Sequence, residues 1–403
     1  MTIQFLSRST GSFEALASLV APVSVETFLS DYWERAPLLA RRPAETRPLA
    51  TLAEIDAVLS TERHVHPNLS LVDAAKEVDE DEYVVAEHAV DMARALKRFN
   101  QGATFVLNRL DEHLVQVRDL CVKLEAELGL GVQANMYLTP AGSQGFPTHF
   151  DSHDVIIIQC VGRKTWRLYD TPRGLPMRGE RFDRATTPAG PLSATLETGP
   201  GDALYIPRGL MHDALADSSE ASLHVTLGFH AVRWSEVVLE AVAQACVDDP
   251  ALRRGVPFGA LHDERAAGLE ATLREHLERV IRAVKWAPVH AKLVDDFAQE
   301  HRESLGGMLL DAARPAREDS SFAVRAGVVV SVEPTDNGVV LTVNGRSTRW
   351  PAHAESTLRR AFERRRFTLA DLGEELDVAG RLTLARKLVL EGALRVLSSS
   401  EAR

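Results

Sequence analysis

Cysteine is scarce: three residues in 403, Cys121, Cys160 and Cys246, odd in number and far apart. That excludes a disulfide framework and fits a reducing compartment. Long apolar runs are missing too, and no stretch approaches the roughly 18 apolar residues that a membrane-spanning helix needs. Met1 to Thr10 lacks a charged segment followed by an apolar core, so it does not read as a signal peptide. Positive charge is in deficit. The 46 Lys and Arg against 57 Asp and Glu give a formal charge of −11, which argues against nucleic acid or an anionic membrane as partner of the whole chain. Internal repeats and low-complexity tracts are absent. The expectation is a cytoplasmic protein of two or three domains, since 45% apolar and 26% charged residues suit an ordinary globular chain.

Residues 1–130 read as mainly helical. Phe28 to Arg35, Leu52 to Leu59 and Val90 to Phe99 carry apolar residues at three- and four-residue spacing, and Leu110 to Leu128 continues the pattern until Gly129. From 131 to 233 the character is β: Gln133 to Leu138, His149 to Cys160, Lys164 to Tyr169, Ala203 to Ile206 and Ser222 to Phe229, separated by Gly and Pro. Many short strands with such punctuation suggest a double-sheet barrel or jelly roll. Helical periodicity returns over 234–311, where Val237, Val238, Ala241 and Val242 form one stripe. Ala312 to Ser321, with Pro315, reads as a linker. Residues 322–403 predict a hairpin, Ala326 to Val332 against Val339 to Val343, turned by Asp336-Asn337-Gly338. Helices at Ala354 to Arg364, Leu369 to Leu376 and Leu382 to Glu391 make that part winged-helix-like.

One constellation carries chemistry. His149-Phe150-Asp151 falls in a strand-like run, where residues two apart share a face. An imidazole and a carboxylate on one face offer two cis ligands to a divalent metal. His212, after the turn Pro200-Gly201-Asp202 and the strand ending Tyr205-Ile206-Pro207-Arg208-Gly209, is the natural third. Two His and one carboxylate with open positions form the pattern of non-haem Fe(II) oxygenases. The spacing alone is weak, because His-x-Glu recurs at His276, His301 and His353. Those three lie in helical or loop segments, where residues two apart diverge.

Context raises His149 above them. Asn135-Met136-Tyr137-Leu138-Thr139-Pro140, Ser143-Gln144-Gly145-Phe146 and Thr148-His149-Phe150-Asp151 resemble the catalytic core of the ribosomal oxygenases, JmjC-type hydroxylases of ribosomal proteins. The likeness continues through Ile158-Gln159, Gly162 to Tyr169, Pro200-Gly201-Asp202, Tyr205 to Gly209, His212 and Ser222 to Thr226, and upstream through Phe28-Leu29, Tyr32-Trp33 and Pro37-Leu38. The resemblance implies an α+β protein built on a double-stranded β-helix, a jelly roll of cupin type, with Fe(II) on His149, Asp151 and His212 and with 2-oxoglutarate and O2 as cosubstrates. It implies that Lys164, thirteen residues after Asp151, binds the distal carboxylate of 2-oxoglutarate. Trp166 shares that strand face, which favours the cavity over a solubilising role for Lys164. Tyr137 is expected to hydrogen-bond the cosubstrate, and Asn135 to lie near the metal or substrate. His153 is expected to contact substrate or a ligand. Gly228 departs from the pattern, standing where some members carry a Ser beside the target side chain. The resemblance further implies a helical dimerisation region at 234–311, a homodimer, and a His or Arg of a ribosomal protein as target.

Two other classes compete. A cupin-type metal-binding protein without oxygenase activity would bind metal and release no succinate. A DNA-binding regulator would use the carboxy-terminal part, but Ser321 to Arg403 holds 13 Lys and Arg against 10 Asp and Glu. That excess is small for a DNA reader, even with the cluster Arg364-Arg365-Arg366.

Overall fold

The computed structural model describes residues 13–43, 47–171, 174–180, 182–183, 185–260, 268–300, 306–313, 316–364 and 366–397. Met1 to Thr10, the pair His301 and Glu303, Pro315 and Arg365 lie outside them. Contacts divide the chain into two compact units, one running to His230 and the other from Ala231 to His301 and from Met308 onward.

The first unit begins with α1 (Glu14–Val20) and a helical turn, Val25–Thr27, that widens into a π-turn at Phe28–Tyr32. Then come β1 (Leu38–Ala40), α2 (Leu52–Thr61), β2 (Leu69–Val72), α3 (Met92–Phe99), β3 (Thr104–Leu107) and α4 (Val115–Leu128). Local chemistry sets the helix ends. Thr51 and Glu54 exchange capping-box bonds at the start of α2. Gly129 at φ 67° closes α4, a left-handed position that glycine takes without steric cost. Residues 1–130 are mainly helical, and three short strands here also join the main sheet. Thr104–Leu107 is buried at every position, so it shows no period of two.

The barrel strands follow: β4 (Gly131–Thr139), β5 (Asp154–Val161), β6 (Lys164–Tyr169), β7 (Leu192–Thr198), β8 (Ala203–Ile206), β9 (Met211–Ala216) and β10 (Ser222–His230). They form a seven-stranded sheet ordered β1-β8-β5-β10-β4-β3-β2 and a three-stranded sheet ordered β7-β6-β9. The central strands β5, β8 and β10 are buried on both faces, which is why β5 reads as the unbroken run Val155-Ile156-Ile157-Ile158. Ile156, Ile158, Tyr205, Val225 and Phe229 pack outward with Leu16, Phe28 and Leu124. Val155, Ile157, Leu204 and Ile206 pack inward with Trp166 and Leu168 of the smaller sheet. Each such buried aliphatic side chain contributes about 1.5–3 kcal/mol. The amino-terminal segment is tied in by Trp33 stacked on Tyr205 at 5.8 Å. Tyr205 donates to buried Asp154 at 2.6 Å, and Arg208 bridges Asp154 and Glu34.

The second unit holds α5 (Trp234–Asp248), α6 (Leu269–Ala283), α7 (Trp286–Glu300) and α8 (Met308–Ala313), then β11 (Ser321–Val324), β12 (Val330–Thr335), β13 (Gly338–Val343), β14 (Arg346–Trp350), α9 (Glu355–Glu363), β15 (Arg366–Thr368), α10 (Val378–Leu390) and β16 (Leu394–Val396). Sheets β12-β13-β14 and β15-β11-β16 share a core around Phe322, Leu341, Leu358, Phe362 and Leu388. The hairpin closes at Thr335 and Gly338, around Asp336-Asn337, and starts at Val330 rather than Ala326. The helix expected over Leu369 to Leu376 is only a 3-10 turn, Leu369–Leu372, because Gly373 at φ 86° leaves helical geometry. The segment read as a linker is partly ordered: α8 runs to Ala313 and β11 begins at Ser321.

Candidate metal centre

His149, Asp151 and His212 converge. One donor atom from each lies within 4.8 Å of the others. His149 Nε2 stands 3.9 Å from Asp151 Oδ1, and His212 Nε2 stands 3.7 Å from Asp151 Oδ2. His149 and Asp151 are not strand residues, contrary to the sequence reading. His149 makes a single β-bridge to His212, and Asp151 lies in the loop before β5. His212 is the second residue of β9, a strand that the sequence reading did not include. The bridge is a pair of backbone bonds, His149 N to His212 O at 3.0 Å and His212 N to His149 O at 2.8 Å.

Both rings are oriented the same way. His149 Nδ1 sits 2.9 Å from Pro147 O, and His212 Nδ1 sits 2.9 Å from Leu210 O. A carbonyl accepts only, so each Nδ1 carries the proton and each Nε2 keeps its lone pair for a metal. Burial, reinforced by His149, pushes the His212 pKa down to about 4, so the ring is neutral at physiological pH. Burial opposes ionisation of Asp151, but the imidazoles of His149, His212 and His153 outweigh it and hold the carboxyl below its ordinary range. The centre therefore offers two imidazole Nε2 atoms and one carboxylate as donors. The donor set fits a divalent first-row ion with sites left open.

The three donors line a cavity of about 220 Å³ shared with Tyr137, Thr139, Lys164, Trp166, His224 and Thr226. That is small beside a drug-sized pocket of about 300–1,000 Å³ and proportionate to a small acid. Lys164 is 4% exposed. Its ammonium donates to Thr139 Oγ1 at 2.9 Å and stands 3.3 Å from His224 Nδ1. Burial lowers its pKa to about 7. Among the described residues no carboxylate pairs with it. A buried cation facing a cavity without an anion suits an anionic ligand. Register sets the distance: Lys164 pairs with Ala216 on β9, four residues from His212, or about 13 Å along the strand.

Tyr137 lies on β4, stacked on His224 with ring centroids 4.8 Å apart, and burial raises its pKa. Asn135 shares that strand face but does not line the cavity. Its side-chain oxygen accepts from Arg109 N and Gln133 Nε2, both at 3.0 Å. His153 stacks on His230 at 5.5 Å and lies over Gly228, where an added Cβ would come 2.8 Å from its ring. Sequence reasoning singled out neither Thr139 nor His224. Alternation puts Thr139 on the face of Tyr137, two residues away on β4, but His224 joins them only through the pairing of β10 with β4. His276 lies within α6 and His353 in a 3-10 turn, so neither builds a comparable cluster.

A family model for the JmjC domain matches residues 109–237, the stretch that carries the metal centre and most of the barrel. Over that stretch the chain is similar to JmjC-domain proteins. Ribosomal oxygenase 2 of Rattus norvegicus is 32% identical over 289 residues, covering 65% of this chain and 60% of the rat protein. The bifunctional lysine-specific demethylase and histidyl-hydroxylase NO66 of Drosophila persimilis is 30% identical over 267 residues, covering 63% of this chain and 38% of the fly protein. The chain thus spans less than two thirds of these relatives. Among solved structures, YcfD of Escherichia coli aligns over 93% of this chain and 98% of its own, with a TM-score of 0.55 and 16% identity. A second YcfD structure, in complex with cobalt and 2-oxoglutarate, aligns with a TM-score of 0.52 and 14% identity over 94% and 99%. At those identities the likeness establishes the JmjC, cupin-like fold.

Proposed function

We propose that this chain is an Fe(II)- and 2-oxoglutarate-dependent oxygenase that hydroxylates a His or Arg side chain of a ribosomal protein. The observation that carries the reading is one cavity holding a His-Asp-His donor set and a buried lysine with no anionic partner among the described residues. His149, Asp151 and His212 hold the iron, and Lys164, with Thr139, takes the distal carboxylate of 2-oxoglutarate. Tyr137 lines the path between them, and Asn135 supports Tyr137 from the same strand face. Iron with 2-oxoglutarate and O2 supplies oxidation of an unactivated C–H bond, with succinate and carbon dioxide as coproducts. The residues fix geometry and exclude water, and the buried walls Trp166 and Ile157 keep the site dry.

The names of the relatives, ribosomal oxygenase and histidyl-hydroxylase, and of YcfD with cobalt and 2-oxoglutarate support this reading. Residues 1–130 and 131–233 make up the JmjC part, 234–311 a helical dimerisation region, and 322–403 a winged-helix-like domain. A homodimer is supported by apolar side chains left outward on that helical segment, including Trp234, Leu239, Leu273 and Ile281. A net charge of −11 favours a basic ribosomal protein over nucleic acid. The described residues include no helix long and apolar enough to cross a membrane. A cytoplasmic location is supported by Cys121, Cys160 and Cys246 all being free thiols. Intact-mass spectrometry of ribosomal proteins from cells with and without the gene tests the proposal. Loss of one oxygen mass from a single protein in the deletion supports it, and identical masses throughout remove the ribosomal target.

A further inference from the structure

We infer that Asp213, acting through Thr148, is a positioning residue that sets the spacing between the two histidine donors. The inference rests on reading His149 and His212 as metal ligands. The segment carrying His149 runs antiparallel to β9, with bridges at Gln144–Leu215 and His149–His212. Five residue steps separate Gln144 from His149, but only three separate Leu215 from His212. Two residues are therefore in excess of a regular ladder, and the slack falls immediately before His149.

Side chains take up that slack. Thr148 Oγ1 donates to Asp213 Oδ2 at 2.6 Å, joining the residue before one histidine to the residue after the other. Asp213 follows His212 on β9, so its side chain leaves the opposite strand face. There Tyr169 OH donates to Oδ2 at 2.8 Å and Arg167 Nε donates to Oδ1 at 2.6 Å. The same guanidinium donates to Gln144 Oε1 at 2.9 Å, and Gln144 Nε2 donates to Phe146 O at 2.9 Å. The Asp213 side chain is 2% exposed. A buried carboxylate with three donors is a rigid anchor. The loop from Gln144 to Thr148 is thus pinned to the back of the strand whose front carries His212, and the Nε2 of His149 is held where it meets Asp151.

The test is cobalt(II) titration of the full chain, read by affinity and by the visible cobalt absorption, with melting of the metal-free protein as the fold control. Thr148→Val keeps the volume and removes the donor. It is expected to weaken cobalt binding by about tenfold and to shift the cobalt absorption. Thr148→Ser is expected to restore both, and Asp213→Asn to reproduce the valine effect. Wild-type affinity and absorption in Thr148→Val and Asp213→Asn would overturn the inference. If Asp213→Asn does not fold, Thr148→Val and its serine rescue decide alone. His212→Ala separates the two levels: cobalt bound by that variant as tightly as by the wild type would defeat the ligand assignment itself.

Discussion

Lys164 Nζ lies 3.3 Å from His224 Nδ1, so the lysine donates and the imidazole accepts, leaving the proton of His224 on Nε2. Burial, together with the charge of Lys164, holds the His224 pKa well below its ordinary value and keeps the ring neutral. The only charge of this pair is the ammonium, and its pKa has fallen to about 7 for want of water.

Affinity for 2-oxoglutarate should therefore depend on pH through Lys164. The ammonium form binds the dicarboxylate, and binding raises the lysine pKa in turn. Affinity is expected to be full below about pH 7 and to fall as pH rises above it, by up to tenfold per unit. Isothermal titration of the metal-loaded protein between about pH 6 and 9 checks this. A flat profile would remove Lys164 from the anion site.

Lys164→Ala should raise the 2-oxoglutarate requirement by about 10- to 100-fold, the worth of a buried charge-assisted contact. The metal affinity should persist, since Lys164 sits about 13 Å along the strand from His212. An unaltered requirement would refute the role.

Gly162 at φ 66° makes the turn from β5 to β6, and an added Cβ would collide with the carbonyl oxygen of Ala221. Gly162→Ala is expected to cost about 2–4 kcal/mol of stability, from left-handed strain plus the backbone clash. Urea unfolding measures it, and a cost under about 0.5 kcal/mol would show that the turn can shift.

Leu239→Asp together with Ile281→Asp should convert a dimer to a monomer if the helical segment is the interface. Light scattering of the full chain reads the mass directly. A monomeric wild type, or a dimer untouched by both charges, would remove the helical segment from assembly.

Much of the architecture is legible in the residues because its signals are local. The Thr51–Glu54 capping box, the Gly129 terminator and the alternation through Lys164, Trp166 and Leu168 each state their own structure. Strands β1 to β3 are not legible, since three- and four-residue buried runs carry no period. The strand expected through His149 and Asp151 is not there either. Their convergence with His212 comes instead from the bridge between His149 and His212 and from the side-chain tie between Thr148 and Asp213, 65 positions apart. Thr139 and His224 escape for a related reason: their meaning appears only when β4, β6 and β10 close around one cavity.

The most direct test of the central claim is succinate formation from 2-oxoglutarate by the purified chain, with Fe(II), O2 and a ribosomal protein fraction, in wild type and His212→Ala. The metal-centre reading predicts succinate that tracks one added oxygen in a single protein, and loss of both in His212→Ala. Succinate that persists in His212→Ala, or its absence from the wild type with every ribosomal protein supplied, would contradict it.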